Sequence, residues 1–225
     1  MSTVYVHAAR LTGEPSVQQC LSDDEKARAI AFKFKRDEDR YRECHGRLRH
    51  HLAHYTGTAP EKLTFRNGPF DKPELTSGAW HFNLSHSDDL YAMAACHDHA
   101  VGIDIETGAN HGDLLNLVSH VCHATERNRL ESLSSEQEKR RLFLCYWTAK
   151  EAFLKAIGCG FQQAPETVCI VGDPFSGHAT IEAPLPGVAA EAWKLHFLAI
   201  ADSHVLTVAA PRECAIELVE SPFDA

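Results

Sequence analysis

The chain has 225 residues, of which 44% are hydrophobic and 24% are charged, and its formal net charge is −9. This composition is typical of a globular protein and excludes a disordered chain. The sequence has no run of about 18 apolar residues, which excludes a membrane-spanning helix, and its acidic charge argues against a general nucleic-acid binder. The first ten residues do not resemble a signal peptide. Eight cysteines without a C-x-x-C pair indicate reduced thiols, so we expect a cytoplasmic protein.

Positive charge is concentrated in one segment of the chain. Residues 26–49 contain nine Lys or Arg and four Asp or Glu, a net charge of +5 within an acidic protein. A local basic patch of this kind indicates binding of a small anionic ligand. The same charges also fit a solvated helix with ion pairs between residues four positions apart. The segment alone does not separate the two interpretations.

The first half is predicted to contain two helices followed by short strands. Ser22 and Glu25 form a capping-box pattern, which predicts a helix at residues 22–35. A second helix is expected at residues 37–55 and ends at Gly57. Short strands are expected at residues 63–65, 82–84, 91–96 and 101–106, with a turn-rich loop at residues 67–73.

The second half is predicted to repeat part of this order. A short helix is expected at residues 125–133 and a long one at residues 135–157, ending at Gly158. Strands are expected at residues 168–171, 179–181, 193–199 and 205–209. In each half the long helix is followed by a glycine (Gly57 or Gly160), then by Ala-Pro-Glu and a strand.

These parallels predict a duplicated α+β unit of about 105 residues. We expect an N-terminal half at residues 1–106 and a C-terminal half at residues 107–225, with the break at residues 107–110. A duplicated unit commonly binds its ligand in the cleft between the two copies. The chemistry is therefore expected where the halves meet.

The strand at residues 101–106 carries two acidic side chains. Because strand side chains alternate, Asp104 and Glu106 share one face, and the two isoleucines share the other. Two adjacent carboxylates suit a hard divalent cation such as Mg²⁺ that also binds phosphate oxygens. The alternative is an edge strand with a solvated acidic face. Gly102 lets another group approach the backbone and favours a site. We expect Asp104 to be exposed and to contribute little to stability.

Two further segments carry reactive groups. Trp147, Glu151 and Lys155 are four residues apart and share one stripe of the long helix. By spacing alone, an ordinary ion pair between Glu151 and Lys155 explains them better than a site does. Ser85 and His86 end a strand and offer a hydroxyl and an imidazole to an anion. No G-x-S-x-G pattern surrounds Ser85, which argues against a serine hydrolase, and a purely structural turn is equally open.

Taken together, these segments resemble the 4′-phosphopantetheinyl transferases. The match is to the larger, surfactin-synthetase-activating type, which modifies carrier domains of peptide and polyketide synthases. The motifs that carry it are Gly46-Arg47-Leu48, Asn83-Leu84-Ser85-His86-Ser87, Gly102-Ile103-Asp104-Ile105-Glu106 and Trp147-x-x-Lys150-Glu151-x-x-x-Lys155. The resemblance extends from residue 22 to residue 210. It implies an α+β fold of two similar halves related by a pseudo-twofold axis, with the active site in the cleft between them.

The resemblance implies transfer of 4′-phosphopantetheine from coenzyme A to a serine of an apo acyl or peptidyl carrier protein, with release of adenosine 3′,5′-bisphosphate. It implies that Asp104, Glu106 and Glu151 hold Mg²⁺ and that Lys155 contacts the CoA pyrophosphate. It also makes Glu151 the base for the serine. The alternative leaves Glu151 as a ligand only, with water on the metal as the base. The nucleotide end of CoA is assigned to Arg42, Lys72, Ser85 and His86.

The resemblance also divides the roles between the halves. Nucleotide binding falls to the N-terminal half, and the catalytic helix and carrier docking fall to the C-terminal half. Asp71 stands where the family usually has glycine, which affects one backbone contact to the nucleotide. We expect a monomer that docks an acidic carrier domain by apolar contact near Phe153 and Leu154, without nucleic acid or membrane. The alternative functions are a CoA- or nucleotide-binding module without transfer activity and a metal-dependent phosphohydrolase.

Overall fold

The structure is a computed structural model, which describes residues 2–108, 114–159, 163–182, 187–200 and 204–220. The strands are β1 (Thr3–Arg10), β2 (Phe65–Asn67), β3 (Pro73–Leu75), β4 (Trp80–Ser87), β5 (Leu90–His97), β6 (Gly102–Thr107), β7 (Cys169–Val171), β8 (His178–Glu182), β9 (Trp193–Ile200), β10 (His204–Pro211) and β11 (Ala215–Glu220). The α-helices are α1 (Asp23–Ile30), α2 (Lys35–Thr56), α3 (Val118–Val121), α4 (Ala124–Ser132) and α5 (Glu136–Ile157). The expected α+β class is confirmed. All eight cysteines lie in these ranges as free thiols.

Two sheets lie face to face between two long helices. One sheet has the strand order β11-β1-β5-β4 and the other β6-β10-β9-β8-β7, while β2 and β3 form a separate hairpin. Helix α2 packs on the first sheet, where Leu48 joins the cluster around Met93, and α5 packs on the second, where Ala149 joins Val205. The side chains on the inner face of each sheet, such as Ile103, fill the core between the two sheets. Within the described ranges, no helix is long and apolar enough to cross a bilayer.

The order of elements is the same in both halves. In each half a first strand (β1 or β6) leads to a 22-residue helix (α2 or α5), a short strand pair and a final hairpin. The last strand of that hairpin pairs with the first strand of its half in antiparallel fashion, β5 with β1 and β10 with β6. The order of elements therefore repeats, but the second repeat begins with β6, which lies before the expected break at residues 107–110, and the pseudo-twofold axis stays a prediction.

Strand β11 departs from this repeat. It follows the second half in the chain but joins the first sheet, where it runs parallel to β1. The division into domains at residues 1–106 and 107–225 stays a prediction. Part of the expected break, residues 109–110, and the glycine at position 160 lie outside the described residues.

Local signals explain where α1 begins and ends. The Ser22 hydroxyl accepts a hydrogen bond from the Glu25 N–H, and the Glu25 carboxylate accepts one from the Ser22 N–H at 2.8 Å, which is the expected capping box. The helix ends at Ile30, so the prediction of a helix to Lys35 is wrong. A new helix, α2, begins after Phe34, which is extended (φ −113°, ψ 135°) and serves as its N-cap.

Both long helices end at glycines in the left-handed conformation, as the sequence predicts. Gly57 has φ 68° and Gly158 has φ 72°, values that a glycine adopts without a Cβ penalty. The strand expected at residues 63–65 lies two residues later, as β2. The preceding Pro60–Lys62 forms a 3₁₀ turn that delays the extended chain.

A stacked pair of histidines lies between β1 and α2. The ring centroids of His7 and His51 are 3.9 Å apart, and His7 Nε2 is 2.6 Å from the Tyr55 hydroxyl. Burial and neighbouring histidines lower the pKa of His7 to about 4 and the pKa of His51 to about 3. The folded protein therefore holds both rings neutral well below the ordinary histidine pKa of 6.5.

We expect this pair to make the fold sensitive to mild acid. The unfolded chain takes up protons on both rings below pH 6.5, whereas the folded chain does so only near pH 3–4. Stability is therefore highest above pH 6.5 and falls as the pH is lowered. Urea unfolding should show a loss of about 2 kcal/mol per histidine between pH 7 and about pH 5. The His51→Phe variant should lose less over this range, and an unchanged pH dependence would refute the assignment.

Candidate active site

Helix α5 and strand β6 approach each other at a glycine. A Cβ on Gly102 would lie 1.9 Å from the carbonyl oxygen of Ala152 and 2.6 Å from the backbone nitrogen of Ala156. Only glycine allows backbones to meet at this distance. The sequence predicted a close approach at Gly102, and the approaching group is α5 itself. This contact places the face of β6 that carries Asp104 and Glu106 beside the stripe of α5 that carries Glu151 and Lys155.

The alternation predicted for β6 is confirmed. Ile103 and Ile105 fill the core between the sheets, whereas Asp104 and Glu106 point to the opposite side and bond to hydroxyls of β4. The expectation of an exposed Asp104 is wrong, because its exposed fraction is 2%. The α5 helix and the side chains of β4 cover this face of β6 and remove Asp104 from solvent.

Asp104 is the centre of a small polar cluster. Its Oδ1 accepts hydrogen bonds from Ser85 Oγ at 2.8 Å and from Lys155 Nζ at 2.6 Å. Its Oδ2 is buried and has no hydrogen-bond partner in the structure. Burial raises the pKa of Asp104, and the Lys155 ammonium opposes that rise. A buried carboxylate oxygen without a partner is costly, so this atom is a candidate ligand for a cation.

The stripe predicted on α5 is confirmed. Trp147, Glu151 and Lys155 are half-buried, whereas the residues between them are buried in the core. Burial and the Asp104 charge raise the pKa of Glu151, Lys155 lowers it, and Glu106 raises it further. These charged groups therefore lie within electrostatic reach of one another. Because Lys155 bonds to Asp104 across the junction, an ordinary ion pair along the helix does not account for it.

Side chains of β4 bridge the two sheets along the edge of β6. The acceptors Asn83 Oδ1, Ser85 Oγ and Ser87 Oγ bind the backbone N–H groups of residues 103, 105 and 107 at 2.9, 3.4 and 3.2 Å. The spacing of two residues on both strands matches the pleat of a strand. The Asn-x-Ser-x-Ser pattern thus fixes the register between β4 and the acidic strand.

Ser87 is a candidate functional residue that belongs to the Asn83–Ser87 motif but for which the sequence predicted no role. Its hydroxyl donates to Glu106 Oε2 at 2.8 Å, just as the Ser85 hydroxyl donates to Asp104. Each acidic side chain of β6 is therefore oriented by one serine of β4. The signal was present in the sequence, since two serines and two acids share the same spacing of two, but nothing local showed that the strands are neighbours.

The donor set fits Mg²⁺. Asp104, Glu106 and Glu151 provide the carboxylate oxygens that hard cations prefer, and Asp104 Oδ2 lacks a partner. In the described part of the chain, no three His, Cys, Asp or Glu side chains form a metal cage on their own. The three carboxylates therefore do not form a complete site by themselves, and water and substrate phosphates would have to complete the coordination of Mg²⁺.

Lys72 caps the C-terminus of α5. Its Nζ donates to the carbonyl oxygens of Lys155 at 2.7 Å, Ala156 at 3.1 Å and Val101 at 3.3 Å. Burial lowers the pKa of Lys72 to about 8. The preceding Asp71 has φ 61°, a left-handed conformation that explains a preference for glycine and that aspartate tolerates. Lys72 also lines a cavity of about 340 Å³ together with aromatic residues of β4.

The other residues assigned to the nucleotide lie in different settings. The Ser85 hydroxyl bonds to Asp104, and Arg42 is paired with Glu38 at 2.8 Å. His86 is exposed at the end of β4, where partial desolvation and the charges of Arg40 and Lys155 lower its pKa. Of these three side chains, His86 is the most accessible to a ligand.

The basic segment proves to be largely an ion-paired helix surface. The pairs within α2 are Lys35–Asp39, Arg40–Asp37, Arg42–Glu38 and Arg47–Glu43. Arg36 and Arg40 nevertheless line a cavity of about 610 Å³ that reaches Thr107, the residue after Glu106. Most of the segment is therefore an ion-paired helix surface, and the interpretation as a binding patch for an anion applies only to the part around Arg36 and Arg40.

The docking surface expected near Phe153 and Leu154 is wrong. These residues are 0% and 2% exposed and belong to the core between α5 and the second sheet. Phe153 lies on the face of α5 opposite to the half-buried stripe, and both side chains are packed in the core, where a partner does not reach them.

We expect replacement of Asp104 to affect stability as well as activity. Asp104→Ala leaves Lys155 and Ser85 without their shared acceptor and should lower the free energy of unfolding by about 1–3 kcal/mol. Asp104→Asn keeps the volume and one acceptor oxygen and should cost less. Urea denaturation of the two variants measures the difference, and equal stability of Asp104→Ala and the unmodified protein would contradict the buried placement.

Comparison with known proteins identifies the region around this site. The family model of the 4′-phosphopantetheinyl transferase superfamily matches residues 100–209. The 4′-phosphopantetheinyl transferase HetI of Nostoc sp. is 37% identical over 65% of this chain and 63% of its own length. A putative 4′-phosphopantetheinyl transferase of Synechocystis sp. is 34% identical over 65% of this chain and 60% of its own. The alignments thus cover less than two thirds of these relatives.

A third relative, the 4′-phosphopantetheinyl transferase gsp of Aneurinibacillus migulanus, is 32% identical over 62% of this chain and 58% of its own length. A solved holo-(acyl-carrier-protein) synthase from Bacillus anthracis in complex with CoA (3′,5′-ADP) overlaps 50% of this chain and 94% of its own, with 16% identity and a TM-score of 0.42. That overlap carries no argument about the site. Residues 100–209, which hold the acidic strand and the stripe of α5, are thus the part of this chain that is similar to the 4′-phosphopantetheinyl transferase superfamily.

Proposed function

We propose that this protein is a 4′-phosphopantetheinyl transferase of the larger type, which transfers phosphopantetheine from CoA to a serine of an apo carrier domain. The superfamily match and the names of the relatives support this activity. The observation that carries it is the meeting of Asp104, Glu106, Glu151 and Lys155 at the junction of β6 and α5, with one carboxylate oxygen left without a partner.

In this proposal Asp104, Glu106 and Glu151 hold Mg²⁺ together with the CoA pyrophosphate. When bound, the ion neutralises phosphate charge. Lys155 donates to a pyrophosphate oxygen and stabilises the negative charge that develops on the departing bisphosphate. Ser85 keeps Asp104 in place through its hydroxyl, so this carboxylate does not need to reorganise when substrate binds.

Glu151 accepts the proton of the carrier serine. Burial and the Asp104 charge raise the pKa of Glu151 in the metal-free protein, whereas a carboxylate that also binds Mg²⁺ is a weaker base than a free one. The half-buried position on α5 leaves the carboxylate accessible to a hydroxyl that approaches from solvent. The serine oxygen attacks the β-phosphorus of the CoA pyrophosphate from one side, and adenosine 3′,5′-bisphosphate leaves from the opposite side.

The nucleotide end of CoA lies on the N-terminal half in this proposal, with Arg42, Lys72, Ser85 and His86 around it. The C-terminal half supplies the catalytic helix, and the protein acts as a monomer. The cavity of about 340 Å³ beside Lys72, with Trp80 in its wall, offers room for an aromatic base. The junction itself is formed by β6 and α5, the first strand and the long helix of the second repeat, and β4 of the first repeat contributes the serines that orient its acids.

His86 provides a test of the nucleotide assignment. If its imidazole binds the 3′-phosphate, His86→Ala should raise KM for CoA by about 10- to 100-fold, because a hydrogen bond to a charged group contributes about 1.5–3 kcal/mol. KM for dephospho-CoA, which lacks that phosphate, should change little. Steady-state kinetics with both substrates provides the comparison. Equal effects on the two substrates would place His86 away from the 3′-phosphate.

Two other functions remain as alternatives, a nucleotide-binding module and a metal-dependent phosphohydrolase. The release of adenosine 3′,5′-bisphosphate from CoA in the presence of Mg²⁺ separates them. Release that depends on an apo carrier domain supports the transferase. Release without a carrier would indicate the hydrolase, and binding of CoA without any release would indicate the binding module.

A further inference from the structure

Three large apolar side chains are exposed where α1 passes into α2. Ile30 is 70% exposed, Phe32 41% and Phe34 59%. We call residues 30–34 the apolar loop. Single exposed apolar residues are common on protein surfaces, but a group of three within five residues marks an interaction site.

Positively charged side chains lie within and beside the apolar loop. Lys33 Nζ lies 5.3 Å from the centroid of the Phe34 ring, and the Arg28 guanidinium lies 5.8 Å from the Tyr41 ring. Phe32 packs against Tyr41 at 5.5 Å, which anchors one side of the loop on α2. The result is a basic, partly anchored apolar surface on a protein of net charge −9. Such a surface complements an acidic partner with an apolar centre.

The apolar loop leads into a cavity at the end of the acidic strand, whose lining also includes Asp39, Asp88 and Asp89. It runs directly into Arg36 and Arg40, which line the cavity of about 610 Å³ at the end of β6. Thr107 lies on the same cavity and follows Glu106 in the chain. A partner seated on the loop would therefore extend along this cavity toward the end of the acidic strand.

We propose that the apolar loop is the docking surface for the acidic carrier domain that this protein modifies. The inference depends on the proposed function and places the contact on the N-terminal half, in place of the buried pair Phe153 and Leu154. Ile30 and Phe34 supply the apolar contact, and Lys33 meets the acidic surface of the carrier.

The test is the double variant Ile30→Ser/Phe34→Ser. The matched control is Leu218→Ser/Val219→Ser on β11, where the exposed fractions are 39% and 49%. Transfer from CoA to an acidic apo carrier domain is measured at varied concentrations of each substrate. The loop variant should raise KM for the carrier by about tenfold, the effect of losing an interface anchor. Its kcat and KM for CoA should stay within about twofold, and the control should match the unmodified protein.

A carrier KM equal to that of the unmodified protein, or a rise that the control shares, would overturn the proposal. A rise in KM for CoA instead would assign the loop to the nucleotide. Sedimentation with anionic phosphatidylglycerol vesicles, lost in the loop variant while the carrier KM is unchanged, would assign it to a membrane. Both results overturn docking of the carrier.

Titration calorimetry of the apo carrier separates the docking surface from the proposed function, because it needs no transfer. Carrier binding that the loop variant weakens supports the docking surface even if the unmodified protein transfers nothing, and in that case only the proposed activity falls. Active transfer together with unweakened carrier binding in the loop variant overturns the docking surface and leaves the activity intact.

Discussion

Glu151→Gln is expected to lower the transfer rate more than any other conservative substitution in this protein. The change keeps the size of the side chain but removes the carboxylate that we propose as a Mg²⁺ ligand and as the base for the serine. Loss of a general base alone lowers kcat by about 10²- to 10⁴-fold. Because Glu151 lies on the half-buried stripe of α5, the fold should be retained. Single-turnover transfer to an apo carrier measures the effect.

Glu138→Gln is the matched control, since it lies in the first turn of the same helix and far along the chain from the site. Its kcat should equal that of the unmodified protein. Binding of Mn²⁺ in the presence of CoA, followed by electron paramagnetic resonance, separates the two roles of Glu151. Weakened Mn²⁺ binding in Glu151→Gln identifies a ligand, and unchanged binding with a lost rate identifies a base. A kcat close to normal would exclude both roles.

Gly102→Ala is expected to be the most destabilising small substitution at the site. The added Cβ meets the backbone of α5, which no rotamer change relieves. Forcing atoms into a packed core costs about 1–3 kcal/mol and sometimes more, and here the helix must move away from β6. Thermal and urea unfolding should both show the loss. The displaced Glu151 and Lys155 should also lower the transfer rate of any folded fraction.

Gly13→Ala is the control for this substitution. Gly13 has φ 76°, and no atom lies within 4 Å of the place that a Cβ would occupy, so alanine there costs only backbone strain of about 1 kcal/mol. The expected order of stability is the unmodified protein, then Gly13→Ala, then Gly102→Ala. A Gly102→Ala protein as stable as Gly13→Ala would show that α5 and β6 do not meet as described.

Much of the fold follows from local sequence signals. The capping box at Ser22, the glycines after both long helices and the strand alternation around Asp104 are short-range features, and the structure has each of them. The strands β1 and β11 were not predicted, because their partners are distant in the chain. Pairing of β11 with β1 joins residues about 210 positions apart, as Thr3 and Ala215 show, and no local pattern indicates such a contact.

The sequence predicted which side chains share a face but not their environment, and their roles in a site stay a prediction. Sequence spacing placed Asp104 with Glu106 and Trp147 with Glu151 on common faces, and these faces are present. It did not show that α5 covers Asp104 or that serines of β4 orient the acids, because burial depends on how elements pack. The capping role of Lys72 and the burial of Phe153 and Leu154 were missed for the same reason.

The central claim is transfer of phosphopantetheine to a carrier serine, and mass spectrometry of the carrier tests it most directly. The protein is incubated with CoA, Mg²⁺ and an apo carrier domain, beside a carrier in which the acceptor serine is replaced by alanine. The intact carrier should gain the mass of one phosphopantetheine unit, and the mass of the alanine carrier should not change. An intact carrier of unchanged mass, after incubation with folded protein that binds CoA, would contradict it.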